Sequence, residues 1–181
     1  GAFDDNWVGA FHVSTLQPKW MIGGKGGLTV PPLVVGASVL LGFREGTLIK
    51  ADIQSGAVAW TARLDSFTAR PLIRVGEQVV AATSKSTLYT LDLASGGIAW
   101  VLDFALPPDG VQLREQASPA VFNGVIYHGL SDGDLAAVNL KAGQLLWRRN
   151  PHYRDGRFPN FVGSVTGANK TVYAARHDGL F

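Results

Sequence analysis

The sequence contains no cysteine, which excludes disulfide bonds, thiolate metal sites and cysteine nucleophiles. Charged residues are only 17% of the 181 residues, and a net charge of +2 gives no indication of nucleic acid as a partner. The most apolar run, residues 28–43, is broken by prolines and glycines, so it is no candidate for a membrane-spanning helix. No ten-residue stretch has apolar residues at helical spacing. These absences leave a single globular domain, 1–181, built mainly from strands.

A phrase that ends in tryptophan occurs three times, as TLIKADIQSGAVAW, TLYTLDLASGGIAW and DLAAVNLKAGQLLW. In each copy a leucine, an acidic or amide residue, a glycine and a tryptophan follow one another at intervals of four. The repeated positions are Leu48, Leu88 and Leu135; Asp52, Asp92 and Asn139; Gly56, Gly96 and Gly143; Trp60, Trp100 and Trp147. A period near forty residues is typical of the blades of a β-propeller.

Each repeat unit resolves into four short strand-like runs, as in PPLVVG, SVLLGF, TLIKADI and AVAWTARL. Turn residues separate the runs, which predicts an antiparallel four-stranded sheet. The Asp or Asn side chain of the repeat can accept hydrogen bonds from the turn backbone, and the glycine supplies positive φ. The tryptophan ring is expected to cover the gap between neighbouring blades while its N–H finds a carbonyl. We therefore interpret the repeated residues as structural.

The two ends of the chain resemble complementary halves of one repeat. Trp20 lies forty residues before Trp60, so residues 1–20 fit a back half, with His12 at the Asp position and Leu16 at the Gly position. Residues 148–181 fit a front half. With the whole repeats 21–60, 61–100 and 101–147, this predicts an all-β propeller with four blades per chain, one of them split between the termini. Such complementary halves are not expected of an arbitrary fragment.

The split blade predicts that the strand at 7–15 pairs with strands at 172–175 and 179–181. Four blades that close alone need wedges of about 90°, whereas eight blades need about 45°. The pairing can therefore occur within one chain, or between two copies that form an eight-bladed ring without open edges. We favour the homodimer.

The Leu-x-x-x-Asp-x-x-x-Gly-x-x-x-Trp pattern resembles the PQQ-like repeat, which occurs in quinoprotein dehydrogenases and in the eight-bladed BamB family of outer-membrane assembly proteins. The interval between Trp100 and Trp147 is 47 residues, so the third unit carries an insertion at 106–116. This insertion resembles a BamB loop with a Leu-x-Leu-Arg segment ahead of a Ser-Pro strand start. Here Val111, Leu113 and Arg114 precede Ser118, and Val111 departs from the family's leucine.

The resemblance implies a non-catalytic scaffold of the outer-membrane β-barrel assembly (BAM) machinery, without cofactor or metal. It implies a periplasmic, outer-membrane-associated lipoprotein whose N-terminal lipid anchor is not part of this chain. The implied partner is the set of POTRA domains of BamA. The implied contact residues are Val111, Leu113, Arg114, Glu115 and Asp155. The family's acidic pair is represented here only by Asp155.

The same residues leave one alternative function open. The alternative is another PQQ-like propeller, either a ligand-binding or sensor module or part of a quinoprotein enzyme.

The histidines have no metal-ligand spacing, which argues against zinc at His12, His128, His152 and His177. Ser131–Asp134 is expected to form a hairpin turn. Arg148–Arg157, with four arginines, is expected to be a solvated loop.

Overall fold

The structure is a computed structural model, and it describes residues 7–24, 26–104, 117–130, 132–149, 161–169 and 171–176. These residues form sixteen β-strands joined by turns and loops. Within the described ranges there is no helix, and hence none that could cross a membrane. The prediction of an all-β chain built from four-stranded sheets is confirmed.

Three antiparallel sheets of four strands form complete blades, each a meander in which consecutive strands pair. Blade I contains β3 (Leu33–Val35), β4 (Ser38–Gly42), β5 (Thr47–Asp52) and β6 (Val58–Arg63). Blade II contains β7 (Ile73–Val75), β8 (Gln78–Ala82), β9 (Thr87–Asp92) and β10 (Ile98–Asp103). Blade III contains β11 (Ala120–Phe122), β12 (Val125–Gly129), β13 (Leu135–Asn139) and β14 (Leu145–Arg149). Because the fourth strand continues beyond its tryptophan, the sheets span 33–63, 73–103 and 120–149 rather than units that end at the tryptophans.

Two sheets of two strands stand at the ends of this row. The first contains β1 (Trp7–Phe11) and β2 (Pro18–Gly23), and the second contains β15 (Phe161–Ala168) and β16 (Thr171–Arg176). In the described part of the chain these two sheets do not pair with each other. The pairing of 7–15 with 172–175 is therefore not made within one chain, and residues 179–181 lie outside the described residues.

The two-stranded sheets are half-sheets, each with half the strands of a blade. The first of them, β1–β2, has the local geometry of the last two strands of a blade. The His12 N–H donates to Gln17 O at 2.9 Å, as the Asp52 N–H donates to Ala57 O at 2.9 Å. Leu16 has φ of 57°, in place of the glycine that has φ of 73° in blade I. A bulky residue is uncommon in this region of φ, so the turn is retained at a cost in strain.

In three of the five sheets a tryptophan contacts the third-to-fourth-strand turn of the next sheet, an arrangement we call the tryptophan clasp. The indole Nε1–H donates to a backbone carbonyl in three cases: Trp20 to Ile53 at 3.0 Å, Trp60 to Leu93 at 3.1 Å and Trp100 to Leu140 at 2.8 Å. The ring lies directly on the glycine of the same turn. A Cβ on Gly96 would stand 2.5 Å from the Trp60 ring, and Gly56 and Gly143 have equally close rings at 2.7 and 2.6 Å.

Trp147 occupies the same strand position, but no such turn lies beside it within the described residues. It pairs across the sheet with Ala137, as Trp60 pairs with Lys50. Its ring lies 6.1 Å from that of Tyr127, and in the part of the chain described here no acceptor is recorded for its N–H. The fourth clasp is therefore incomplete.

The clasped turns are held by their acidic or amide residue. Asp52 Oδ1 accepts the backbone N–H and the hydroxyl of Ser55, both at 2.8 Å, and Asp92 Oδ1 accepts those of Ser95 at 2.8 and 2.7 Å. In blade III, Asn139 Oδ1 accepts the N–H groups of Lys141 and Ala142. These bonds, from Ser55 and Ser95 respectively, lower the pKa of the Asp52 and Asp92 carboxyls.

The core lies between neighbouring blades rather than within one sheet. Blades I and II share a cluster that includes Leu48 and Leu91, and blades II and III share one that includes Leu88 and Ile126. His128 of β12 is fully buried, 6.0 Å from the Phe104 ring, and neither ring nitrogen has a hydrogen-bond partner among the described residues. Burial, with a smaller contribution from Arg70, lowers the pKa of His128 to about 4.

Replacement of His128 by leucine should remove a pH dependence of stability. Leu41 and Ala81 hold the equivalent position in blades I and II, so an apolar side chain suits this site. Since the folded protein keeps His128 neutral down to a pKa of about 4 while the unfolded chain protonates near 6.5, acidification favours unfolding. From pH 7 to pH 5 the wild type should lose about 2 kcal/mol that H128L keeps, as measured by urea unfolding. His12→Asn, which introduces the amide that Asn139 supplies in blade III, should lose as much as the wild type, and an identical loss in H128L would contradict the argument.

The two roles of the clasp glycine can be separated with a matched pair of substitutions. Gly96 has φ of 73° and a Trp60 ring on it, whereas Gly76 has φ of 56° and nothing within 4 Å of an added Cβ. Gly76→Ala should cost only the backbone strain, about 1 kcal/mol. Gly96→Ala should cost a further 1–3 kcal/mol, roughly, because the methyl displaces the ring. Equal losses of unfolding free energy in the two variants would show that the ring contact contributes nothing.

Candidate interaction surfaces

All connections between blades emerge on one face, which we call the loop face. In a meander of four antiparallel strands, the chain enters and leaves at the end that carries the turn between the second and third strands. Hydrogen bonds place the first two connections there. The Leu64 N–H donates to Gly46 O at 2.8 Å, and the Phe104 N–H donates to Ser86 O at 3.2 Å. The described strand ends from which these connections start therefore lie on one side of the scaffold, where recognition sites commonly occur.

The predicted partner-binding residues belong to two of these connections. Val111, Leu113, Arg114 and Glu115 lie in 105–116, and Asp155 lies in 150–160, both outside the described residues. The two residues that flank 105–116 are buried, since Phe104 is 3% exposed and Ala117 is 1% exposed. Ser118 accepts the Val165 N–H at 3.1 Å. The insertion thus starts and ends at buried anchors on the loop face, and the roles of its residues stay a prediction.

The prediction that Arg148 and Arg149 lie in a solvated loop is wrong. Arg148 and Arg149 belong to β14 rather than to a solvated loop, because the strand continues past Trp147. Arg148 Nε donates to Asp134 at 2.6 Å, and its Nη2 forms an ion pair with Asp132. Partial burial disfavours the charge of Arg148, but the hydrogen bond and charge of Asp134 and the charge of Asp132 outweigh it and raise the Arg148 pKa.

Sequence reasoning missed this ion-pair cluster, although a signal for it exists. The turn from β12 to β13 was correctly read as a turn, with Gly133 at φ of 88°. In the β13–β14 hairpin Arg148 stands opposite Ala136, two residues after Asp134. If the strand pairing of the hairpin is extended by one residue from Trp147, Arg148 falls beside the turn that contains Asp132 and Asp134. The two carboxylates thus compensate the charge of Arg148 within blade III.

The first connection is fixed by polar contacts on the same face. Thr87 Oγ1 donates to Asp65 Oδ2 at 2.7 Å, and the Asp65 N–H donates to the Tyr89 hydroxyl at 3.1 Å. The Arg44 guanidinium lies 5.8 Å from the Phe67 ring centroid. Burial raises the pKa of Tyr89, so this hydroxyl stays neutral. These contacts tie the segment between blades I and II to the scaffold.

A second candidate surface consists of two strand edges, on β1 and β16, that have no partner strand among the described residues, and we call them the split-blade edges. Large apolar side chains beside them are open to solvent: Trp7 45%, Phe11 42%, Met21 52% and Tyr173 55%. In complete blades the positions of Phe11 and Tyr173 are covered, since Ala51 and Leu40, which correspond to them in blade I, are both 0% exposed. The position of Met21 is exposed there too, since Val101 is 49% exposed. Unpaired backbone groups next to exposed apolar side chains can bind another strand.

No metal centre emerges from the histidines and carboxylates that the structure describes. His12 lies in the β1–β2 turn and His128 is buried in the core, while His152 and His177 lie outside the described residues. Within the described ranges, no group of three or more His, Asp or Glu residues could hold a metal ion.

Comparison with solved structures identifies the architecture. BamB from Moraxella catarrhalis is similar with a TM-score of 0.78 and 24% identity, over 98% of this chain and 55% of that chain. The computationally designed Ika4 protein has a TM-score of 0.67 and 20% identity, over 87% of this chain and 90% of that chain. Quinohemoprotein alcohol dehydrogenase from Comamonas testosteroni has a TM-score of 0.56 and 18% identity, over 68% of this chain and 21% of that chain.

These similarities confirm the β-propeller fold, and the chain spans about half the length of the matched BamB. Comparison with curated proteins gave no match. The family model described as outer membrane protein assembly factor BamB matches residues 5–181. The resemblance to this family is thereby confirmed, and the chain belongs to the BamB family of outer membrane protein assembly factors.

Proposed function

We propose that this protein is a non-catalytic scaffold of the BAM machinery, located in the periplasm and associated with the outer membrane. The observation that carries the proposal is the BamB family match over residues 5–181. A scaffold needs rigid blades that present loops, and the loop face provides this arrangement. As in the family, a lipid anchor outside this sequence would attach the protein to the membrane.

The proposed partner is the set of POTRA domains of BamA, bound through the connections that flank blade III. Leu113 offers an apolar anchor and Arg114 a planar donor for a carboxylate, a combination that binding hot spots favour. Val111 and Glu115 lie beside them in sequence and would form the rim. Asp155 follows β14, so its segment leaves blade III on the same face. Both connections can then reach one partner.

We also propose that the functional unit contains two copies of the chain, joined as an eight-bladed ring. The support is the pair of two-stranded sheets, β1–β2 and β15–β16, each of which has one edge without a partner strand among the described residues. Two copies related by a two-fold axis would make two identical junctions and leave no open edge.

A second function deserves a test because quinoprotein enzymes share the fold. The Comamonas testosteroni enzyme is similar over 68% of this chain, although that is 21% of its own length. Pyrroloquinoline quinone absorbs in the near ultraviolet, so titration of the protein with the quinone distinguishes the two functions. A scaffold should leave the quinone spectrum unchanged, whereas a cofactor-binding propeller should shift it.

Replacement of Leu113 and Arg114 together by alanine should weaken binding to POTRA domains by about 2–4 kcal/mol. Neither residue occupies a repeat position, so the unfolding free energy should stay unchanged. Isothermal titration calorimetry with purified BamA POTRA domains measures the effect.

A control removes an aliphatic side chain and an arginine elsewhere. Val34 and Arg74 lie on the first strands of blades I and II, and both are exposed. Val34→Ala with Arg74→Ala should bind as tightly as the wild type. The proposal fails if L113A/R114A binds POTRA domains like the control, or if the wild type does not bind them.

A further inference from the structure

We propose that Phe104 and His128, which we call the root pair, are positioning residues that hold the start of the insertion and thereby support partner binding. The proposal rests on the proposed scaffold function and adds to it the residues that fix where the insertion leaves the blades. Neither residue is proposed to touch the partner, because Phe104 is 3% exposed and His128 is 0% exposed.

Phe104 is the last described residue before the insertion, and both its backbone and its ring are fixed. Its N–H donates to Ser86 O at 3.2 Å, and Ser86 is itself 1% exposed. Its ring belongs to the core cluster that blades II and III share, which includes Leu88 and Ile126. The chain therefore enters the insertion from a point that two blades hold.

The ring of Phe104 faces a histidine of the next blade. The two ring centroids lie 6.0 Å apart with an angle of 51° between the planes, which is within the range of favourable aromatic pairs. His128 belongs to β12, so the contact joins the end of blade II to the second strand of blade III. Burial, followed by the charge of Arg70, lowers the pKa of His128 to about 4, so both rings of the pair are uncharged at neutral pH.

The contact between blades I and II shows what the same place needs where no insertion follows. Leu64 corresponds to Phe104, since its N–H donates to Gly46 O at the same point of the preceding blade, and Ala81 corresponds to His128. Leu64 and Ala81 belong to the apolar cluster between blades I and II and are 4% and 0% exposed. A leucine and an alanine thus close the gap between these two blades. The aromatic pair stands at the interface from which the insertion leaves.

His128 also carries a cost that its equivalents avoid. Neither of its ring nitrogens has a hydrogen-bond partner among the described residues, and a buried polar atom without a partner destabilises the fold. Leu41 and Ala81 carry no such atom. A side chain that costs stability and replaces apolar residues of the other blades is a candidate for a role beyond packing.

The other end of the insertion is fixed to a different sheet. Ala117 is 1% exposed and packs with Val165 of β15. Ser118 O accepts the Val165 N–H at 3.1 Å, and Ser118 forms a parallel bridge to Ser164. The chain thus leaves from blades II and III and returns at β15, with both ends held. Fixed ends favour binding, because a loop held at its ends loses less conformational freedom when a partner orders it.

Replacing the root pair by the residues of the adjoining interface separates positioning from stability. F104L/H128A gives blades II and III the residues that Leu64 and Ala81 supply between blades I and II, so the variant should fold. Its affinity for purified BamA POTRA domains, measured by isothermal titration calorimetry, should fall about tenfold, because the start of the insertion gains freedom. His128→Phe keeps an aromatic ring against Phe104 and should retain the wild-type affinity.

Leu64→Ala is the matched control. It truncates the residue that corresponds to Phe104, at a connection for which no partner contact is proposed. It should lower the unfolding free energy yet leave the affinity unchanged at a temperature where every variant is folded. Wild-type affinity in F104L/H128A would overturn the proposal, and so would an equal loss of affinity in L64A or H128F.

A measurement without the partner separates this failure from failure of the proposed function. Trypsin cleaves after arginine, and Arg114 provides a site within the insertion. Cleavage after Arg114 during brief digestion, identified by mass spectrometry, should be several-fold faster in F104L/H128A than in the wild type and unchanged in L64A. Equal rates in F104L/H128A and the wild type would overturn the role of the root pair, whether or not POTRA domains bind. Faster cleavage in F104L/H128A, together with a wild type that does not bind POTRA domains, would refute the partner and support the root pair.

Discussion

The tryptophan clasp is the contact on which the rest of this structure depends. The indoles of Trp20, Trp60 and Trp100 each donate a hydrogen bond to the next blade and lie on the glycine of the turn they meet. The glycine is required twice, for positive φ and for the absence of a Cβ under the ring. The acidic or amide residue of the turn holds the carbonyl in place for the indole. One contact thereby couples the conformation of a turn to the spacing between blades.

A blade built in this way is complete only when it has neighbours. The core lies between sheets, so a terminal sheet exposes the face that an adjacent blade would cover, as Phe11 and Tyr173 illustrate. The meander also sends every connection to one face, which leaves the opposite turns to the clasp and the loop face to recognition. Architecture and proposed function are thus separated in space. The blades set the positions of the loops, and the loops carry the residues proposed to bind a partner.

The sequence predicted the features that repeat and missed those that occur once. The Asp, Gly and Trp spacing indicated the turn, its positive φ and a tryptophan between blades because each signal recurs at a fixed interval. The ring contact on Gly96 could not be inferred, since the two residues come from units that no local pattern connects. The burial of His128 was missed because a histidine alone does not indicate a core position, although Leu41 and Ala81 at the equivalent positions of the other blades do. Arg148 was assigned to a loop because the arginine-rich composition of 148–157 concealed the end of β14.

Hydrogen exchange at the indole nitrogens tests the clasp most directly. The chain contains five tryptophans, so a nitrogen-15 NMR spectrum has five indole signals, which can be assigned by single Trp→Phe variants. The account predicts slow exchange for Trp20, Trp60 and Trp100, whose N–H groups are bonded across blades. Trp60 should be slowest, since it is 9% exposed, and Trp7, which is 45% exposed, should exchange fast. Exchange at Trp60 as fast as at Trp7 would contradict the account.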